Sequence, residues 1–182
     1  MRPLVITQHV TADGRIEMLD TWFDPTAAAP DELEVNARDS EACDAILLGR
    51  QTFEDFRGFW PEQIDDATGV TDELNTLQKY VVSSTMTDPQ WQHSTVLAGD
   101  PVTTVAELKQ TEGREISLTG SITLCHTLIA AGLVDRYQLW AHPYVQGRGR
   151  ALFPDDHTQQ LELVESRSFT SGVTYTCWAA TA

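Results

Sequence analysis

"DAILLGRQTFEDF", residues 44–56, joins an apolar run directly to a helical pattern. The apolar run before Gly49 has the composition of a strand that is buried on both faces, as strands inside a parallel sheet are. Gly49, Arg50 and Thr52 follow it at once. A guanidinium at the seam between a buried strand and a helix is well placed to bind an anion. The segment therefore predicts a parallel α/β arrangement with an anion site at the end of this strand.

The length and the cysteine content bound the class of protein. A chain of 182 residues is long enough to bury about 70% of its unfolded surface, so we expect one domain spanning 1–182 without cross-links. The three cysteines are odd in number and widely separated, unlike those of a disulfide framework or a zinc site. We therefore expect buried free thiols in a reducing compartment, and we predict no metal site.

The charge balance narrows the choice of partners. Twelve Lys and Arg against 27 Asp and Glu give a formal net charge of −15, which repels nucleic acids and acidic membrane surfaces. No stretch approaches the ~18 apolar residues that a membrane-spanning helix needs. We accordingly expect a cytoplasmic protein that binds neither nucleic acid nor membrane. Any anionic ligand must then be held by nearby cationic or hydrogen-bond-donating groups, because the electrostatic field of the whole protein repels it.

Strand and helix patterns alternate along most of the chain. The first strand patterns lie at 3–10, 44–49, 79–84, 94–99 and 115–120. Helical patterns lie between and after them, at 30–43, from 50, around 70–78, at 104–111 and at 121–132. Three further strand patterns follow without a long helix, at 136–147, 161–169 and 173–181. This order predicts a three-layer α/β/α fold with a mixed, mostly parallel central sheet and antiparallel C-terminal strands.

Three of the predicted strands end in residues suited to phosphate. In a parallel sheet, ligands bind at the carboxyl ends of the strands, where the N-termini of the following helices collect. The candidate residues are Gly49, Arg50 and Thr52 after one strand, Ser83, Ser84 and Thr85 after another, and Gly120, Ser121, Ile122 and Thr123 after a third. Each group also has an ordinary interpretation as a helix cap or a turn. Their shared position nevertheless predicts a site for several phosphates.

Three segments carry a resemblance to a known family. "LLGRQTFEDFRGFWP" at 47–61 resembles the G-R-x-T-[YFW]-E segment of the dihydrofolate reductase-like superfamily, in the branch that includes the reductase domain of riboflavin biosynthesis. "LTGSITLCHTLIAAGLVDRYQLWAHPYVQGRGRALFP" at 118–154 resembles the Gly-Ser helix, strand and loop of that branch, and "VTADGRIE" at 10–17 resembles its S-x-D-G segment. One departure is Thr119, which stands where folate reductases have the first of two glycines. It leaves open whether a cis peptide precedes Gly120.

The resemblance implies a dihydrofolate reductase-like fold and an NADPH-dependent reductase. It assigns contacts with the cofactor phosphates to Arg50 and Thr52, and it places Ser83 and Ser84 near the ribose phosphate of the adenosine. The segment 120–123 would cradle the pyrophosphate. Because relatives in this branch commonly pair, the resemblance also implies a homodimer.

Hydride transfer also needs a proton donor, and Asp13 is the candidate. The resemblance places Asp13 at the mouth of the site, where an apolar environment raises the pKa of a carboxyl toward neutrality. The alternative is that Asp13 and Gly14 form an ordinary tight turn. The first long helix offers further candidates near its start, Asp31, Glu32 and Glu34, without a spacing that selects one.

The histidines and several aromatic residues are predicted to have structural roles. None of the five histidines pairs with another at the sequence spacing of metal ligands. Five aromatic residues flank the predicted site, where core packing is the simpler role and stacking on a planar ring the alternative: Trp22, Phe23, Phe56, Phe59 and Trp60.

Two functional classes remain. One is a reductase that transfers a hydride from NADPH to a small heterocyclic substrate, pterin- or pyrimidine-like, or to a ribosylamino substrate. The other is a non-catalytic NADP-binding module that uses the same fold without turnover. The absorbance of reduced nicotinamide in the presence of candidate substrates distinguishes the two classes.

Overall fold

The computed structural model describes residues 1–64, 66 and 68–181, and an eight-stranded sheet forms its centre. The strands are β1 (Leu4–Thr11), β2 (Cys43–Gly49), β3 (Gln78–Val82), β4 (Ser94–Leu97), β5 (Glu115–Gly120), β6 (Arg136–His142), β7 (Leu161–Ser168) and β8 (Thr174–Ala180). The helices are α1 (Pro30–Ala42), α2 (Arg50–Phe59), α3 (Val70–Thr76), α4 (Pro101–Lys109) and α5 (Ile122–Ala130), with a 3₁₀ turn at Trp60–Glu62. Each predicted strand and helix overlaps one of these elements, which confirms the predicted order.

The strands are arranged in the order β4-β3-β2-β5-β1-β6-β8-β7. The first six pair in parallel, whereas β8 pairs antiparallel with both β6 and β7. This arrangement confirms a mixed, mostly parallel sheet with antiparallel C-terminal strands. Because β2 and β5 are neighbours, α2 and α5, which follow them, both begin at the same edge of the sheet.

Helices cover both faces of the sheet, which confirms the three-layer α/β/α class. Side chains alternate along β2: Leu47 joins a core cluster with α4 and α5, whereas Ile46 and Leu48 join a cluster with α2 and α3. Helix α1 packs through Val35 against Trp140 and the C-terminal strands. In the part of the chain that the structure describes, no helix is long and apolar enough to cross a membrane.

The three cysteines are free and buried, as the sequence predicts. Cys43 begins β2, Cys125 lies in α5 and Cys177 lies in β8. Burial raises the pKa of Cys43 and of Cys125 to about 12, and it also raises the pKa of Cys177. All three thiols are therefore protonated at neutral pH.

Candidate functional site

The ends of β2 and β5 meet at four residues, Gly49, Thr52, Gly120 and Ser121, which we call the glycine junction. A Cβ atom at Gly49 would lie 2.4 Å from Ser121 Oγ and 3.0 Å from the Ser121 backbone nitrogen. A Cβ atom at Gly120 would lie 2.8 Å from Thr52 Oγ1, and Gly120 has a φ of +148° that other residues rarely adopt. The ends of β2 and β5 therefore approach each other so closely that a side chain at either glycine position would clash.

Two helices begin beside the glycine junction. Arg50 is the first residue of α2, and Ile122 and Thr123 are the first residues of α5. No side chain caps the first turn of either helix, so the backbone N–H groups of these turns are available to an anion. The Ser121 hydroxyl lies beside Gly49, and the Thr52 hydroxyl lies beside Gly120. The structure thus brings two of the three predicted strand ends together, in an arrangement that suits a diphosphate.

The structure has a cis peptide bond near Thr119, at the end of β5. A cis peptide bond lies between Gly120 and Ser121, one position later than the bond that precedes Gly120. The Thr119 carbonyl accepts a hydrogen bond of 2.6 Å from Nε2 of the buried Gln8. This contact ties β5 to β1 beside the glycine junction.

A cleft of about 350 Å³, which we call the outer cleft, lies beside the start of α2. Arg50 and Thr85 line it together, so the third predicted strand end also reaches α2. The Arg50 guanidinium is exposed and donates hydrogen bonds of 2.9 and 3.1 Å to the Glu54 carboxylate. Arg57, which no sequence pattern indicated, lines the same cleft and donates to the Pro89 carbonyl at 2.7 Å.

The hydroxyl groups after β3 have different surroundings. Ser83 is buried, and its Oγ accepts hydrogen bonds from the N–H groups of Thr85 and Met86 at 3.2 and 3.0 Å. Ser83 therefore shapes the turn. Ser84 and Thr85 are exposed, and Thr85 lines the outer cleft. Of the three hydroxyl groups, that of Thr85 is therefore in the cleft wall, and Ser84 precedes it in the chain.

A larger cleft of about 500 Å³, which we call the main cleft, lies over the sheet between α1 and the pair α2 and α3. Its floor includes Gln8 of β1, Thr119 of β5 and Trp140 of β6. Four of the five aromatic residues predicted to flank the site line its wall: Phe23, Phe56, Phe59 and Trp60. Because Thr119 directly precedes Gly120, the main cleft adjoins the glycine junction.

Of the three candidate carboxylates near the start of α1, Glu32 is the one that lines the main cleft. Glu32 is buried and lines the main cleft. Its carboxylate accepts a short hydrogen bond from Ser171 Oγ and one of 3.4 Å from the Ala29 N–H. Asp31 instead accepts a hydrogen bond of 2.9 Å from the Thr170 N–H, and Glu34 is exposed outside the cleft lining.

Two histidines that no sequence pattern connected form a pair in the main cleft. His9 Nδ1 lies 2.9 Å from His142 Nε2, and both side chains line the cleft. Burial, reinforced by His142, lowers the pKa of His9 to about 3, and burial also lowers the pKa of His142. Both rings are therefore neutral at neutral pH, and one donates a hydrogen bond to the other. Trp22 packs edge-on against His142, with ring centroids 5.4 Å apart.

Asp13 lies in the loop after β1, outside the lining of the main cleft. Its Oδ1 accepts hydrogen bonds from Thr11 Oγ1 at 2.7 Å and from the Gln146 N–H at 3.0 Å, and its Oδ2 accepts one from the Gly147 N–H at 2.8 Å. These hydrogen bonds, led by that from Thr11, hold the pKa of Asp13 well below its ordinary value. The predicted raised pKa is wrong, because Asp13 is an ionised carboxylate that joins its loop to the chain after β6.

The chain is similar to known proteins over nearly its whole length. The family model described as the RibD C-terminal domain matches residues 2–175. The uncharacterized protein YyaP of Bacillus subtilis (strain 168) is 31% identical over 175 residues, which cover 94% of this chain and 92% of that protein.

Solved structures share the fold at low sequence identity. A protein of Shewanella sp. PV-4 named for riboflavin biosynthesis matches with a TM-score of 0.72 and 18% identity, over 99% of each chain. Dihydrofolate reductase from Enterococcus faecalis, complexed with NADP(H) and RAB-propyl, matches with a TM-score of 0.63 and 15% identity, over 99% of this chain and 97% of that chain. These likenesses confirm the predicted dihydrofolate reductase-like fold.

Proposed function

This chain belongs to the RibD C-terminal domain family, and from that premise we propose that it is a reductase that transfers a hydride from NADPH to a small heterocyclic or ribosylamino substrate. The observation that carries the proposal is the glycine junction, where neither Gly49 nor Gly120 has room for a Cβ atom. Close approach of this kind beside two helix N-termini suits the backbone contacts of a dinucleotide diphosphate. The related fold of a dihydrofolate reductase supports an enzyme of this general type.

The residues at the two helix starts fit both phosphate-bearing parts of NADPH. The backbone N–H groups of α2 and α5, with the Thr52 and Ser121 hydroxyls, would hold the diphosphate. Arg50 and Thr85 would hold the ribose phosphate in the outer cleft. That group is nearly doubly charged, so a protein of net charge −15 needs a local guanidinium to bind it. When bound, NADPH supplies a hydride to the substrate.

The main cleft provides the surroundings for the substrate. Phe56, Phe59 and Trp60 give planar apolar walls that hold a flat ring and exclude water. Reduction of a C=N bond also takes up a proton, and we assign its transfer from solvent to the substrate to Glu32, which lines this cleft. The neutral His9–His142 pair, which lines the same cleft, would orient the substrate ring by hydrogen bonds. Asp13 is given a different role, because its ionised carboxylate already accepts three hydrogen bonds. We infer that Asp13 fixes the loop at the mouth of the site.

Calorimetry and absorbance together test this proposal. We expect NADPH to bind, and its reduced-nicotinamide absorbance to fall when a suitable pterin or aminopyrimidine is added. Binding of NADPH without any loss of absorbance across a broad substrate panel would indicate the non-catalytic NADP-binding module. If neither NADPH nor NADH binds at millimolar concentration, the reductase proposal is wrong.

We also propose that the protein is a homodimer. The edge strand β7 exposes Leu163 and Val164 by 49% and 58%. An unpaired edge with exposed apolar side chains is a surface that a second copy can cover. Light scattering at micromolar concentration is expected to give about 40 kDa, twice the 20.2 kDa of one chain. A value equal to one chain would contradict the dimer.

A further inference from the structure

We propose that Gln8 is a positioning residue for the cofactor, which holds the backbone segment 119–121 in the conformation that binds the NADPH diphosphate. The inference rests on the proposed function, because it concerns the cofactor contacts of the same reductase site. Gln8 lies on β1, outside the three strand ends that carry the candidate phosphate-binding residues. It would act through the Thr119 carbonyl rather than by touching the cofactor.

Strands β1 and β5 separate just before the glycine junction. The last pair between them is Ile6 with Leu118, whereas β1 continues beside β6 as far as Thr11. On the other side of β5, the register with β2 passes from Leu118 to Gly120. Among the described residues, Thr119 therefore has no register partner in either neighbouring strand, and the sheet ladder is interrupted at this position.

The side chain of Gln8 bridges the gap between the two strands. Gln8 is buried, and its Nε2 donates a hydrogen bond of 2.6 Å to the Thr119 carbonyl. Because a carbonyl group only accepts hydrogen bonds, the nitrogen of the amide must face it. A carbonyl left without a partner in such a place would be unfavourable. Gln8 thus extends the connection between β1 and β5 past the last pair of the ladder.

This hydrogen bond orients the backbone that leads to α5. A peptide group is planar, so a fixed Thr119 carbonyl also fixes the direction of the Gly120 N–H. Gly120 has a φ of +148° and, as a glycine, would otherwise adopt many conformations. Ser121 follows as the N-cap of α5. Gln8 therefore sets the orientation of the segment whose backbone N–H groups are proposed to hold the diphosphate.

Replacement of Gln8 with methionine tests the inference. Methionine is similar in length and shape but has no donor, so segment 119–121 would have to become ordered when the cofactor binds. Gln8 orders the segment in advance, and such preorganisation increases affinity. Gln8→Met is expected to weaken NADPH binding by roughly 5- to 30-fold, the cost of ordering about one residue of backbone. Calorimetric titration measures the change.

Gln138 provides a matched control. It is also a buried glutamine, and its Oε1 accepts a hydrogen bond of 2.8 Å from Thr7 Oγ1. It lies on β6, outside the described lining of both clefts. Gln138→Met should lower stability to urea to a similar extent as Gln8→Met and leave the NADPH affinity unchanged.

A cofactor fragment separates positioning from a general loss of structure. Adenosine 2′-monophosphate carries the ribose phosphate that the outer cleft would hold, but it has no diphosphate. Its affinity should therefore be the same in Gln8→Met and in the wild type. Equal weakening of this fragment and of NADPH would show a general loss of structure and contradict the inference.

A measurement on the wild type covers the case in which Gln8→Met does not fold. Hydrogen exchange of the side-chain amides, followed by NMR, should slow at Gln8 when NADPH is added and stay unchanged at Gln138. An unchanged rate at Gln8 would overturn the inference.

Failure of the inference and failure of the proposed function give different results. If the wild type does not bind NADPH, the proposed function is wrong, and the inference is wrong with it. If the wild type binds NADPH and the Gln8→Met and Gln138→Met variants bind it equally well, only the inference about Gln8 is wrong.

Discussion

Replacement of Gly49 with alanine is expected to lower the free energy of unfolding by about 1–3 kcal/mol, the usual cost of overpacking. The new Cβ atom would lie 2.9 Å from Ser121 Cβ and 3.0 Å from its backbone nitrogen. The Ser121 hydroxyl can rotate away, but the other two atoms cannot move unless the start of α5 moves with them. Displacing that helix start should weaken NADPH binding by roughly 10- to 100-fold, because it would remove a backbone hydrogen bond to the charged diphosphate that contributes ~1.5–3 kcal/mol.

Gly58 provides a matched control in the same helix. It lies in α2, and a Cβ atom added there meets no atom within 4 Å. Because alanine is more favourable than glycine inside a helix, Gly58→Ala should stabilise the protein by ~0.5–1 kcal/mol and leave NADPH binding unchanged. Urea unfolding and calorimetric titration measure both quantities. If the Gly49→Ala variant has the same stability and the same NADPH affinity as the wild type, the close approach at the glycine junction is refuted.

The second large effect is expected from Arg50→Ala, which should weaken NADPH binding by roughly 10- to 150-fold. The estimate follows from the ~1.5–3 kcal/mol that a hydrogen bond to a charged group contributes. If the guanidinium contacts the ribose phosphate, the affinity for NADH should change much less. If it contacts the diphosphate, the affinities for both cofactors should fall together. Calorimetric titration of each cofactor distinguishes these contacts.

Two further variants test whether the effect belongs to the Arg50 contact. A bound phosphate must compete with Glu54 for this guanidinium. Exposed ion pairs contribute ~0.2–1 kcal/mol, so Glu54→Gln should tighten NADPH binding by up to ~5-fold. Arg167→Ala removes the same charge from β7, where Arg167 pairs with Glu165, and should change neither affinity. A similar loss in Arg167→Ala would show that net charge sets the affinity.

Local sequence patterns could predict the elements and the glycine junction. Gly49 is the last residue of β2 and Gly120 is the last residue of β5, and the carboxyl ends of parallel strands meet at one edge of the sheet whatever the order of the strands. The prediction that Arg50 binds phosphate needed no more than this. The position of Glu32 in the cleft could not be read in the same way. It depends on how α1 is turned against the sheet, and its hydrogen-bond partner Ser171 lies 139 residues away.

The histidine pair and the low pKa of Asp13 depend on contacts even less visible in the sequence. His9 and His142 are 133 residues apart, and they meet because of the particular register between β1 and β6. The backbone donors that stabilise the Asp13 carboxylate, on Gln146 and Gly147, are similarly remote. An Asp-Gly dipeptide identifies the turn, but it does not reveal which donors the rest of the fold brings to the carboxylate.

The three buried cysteines can report local unfolding of the protein through their rates of thiol labelling. Thiol reagents attack the thiolate, and with the pKa of Cys43 and Cys125 raised to about 12, labelling at neutral pH requires the surrounding structure to open. The labelling rate of each cysteine therefore measures the opening free energy of its own region. A ligand that bridges the end of β2 and the start of α5 would slow the labelling of Cys43 and Cys125 relative to that of Cys177 in β8. Cofactor binding could thus be mapped without a known substrate or an introduced probe.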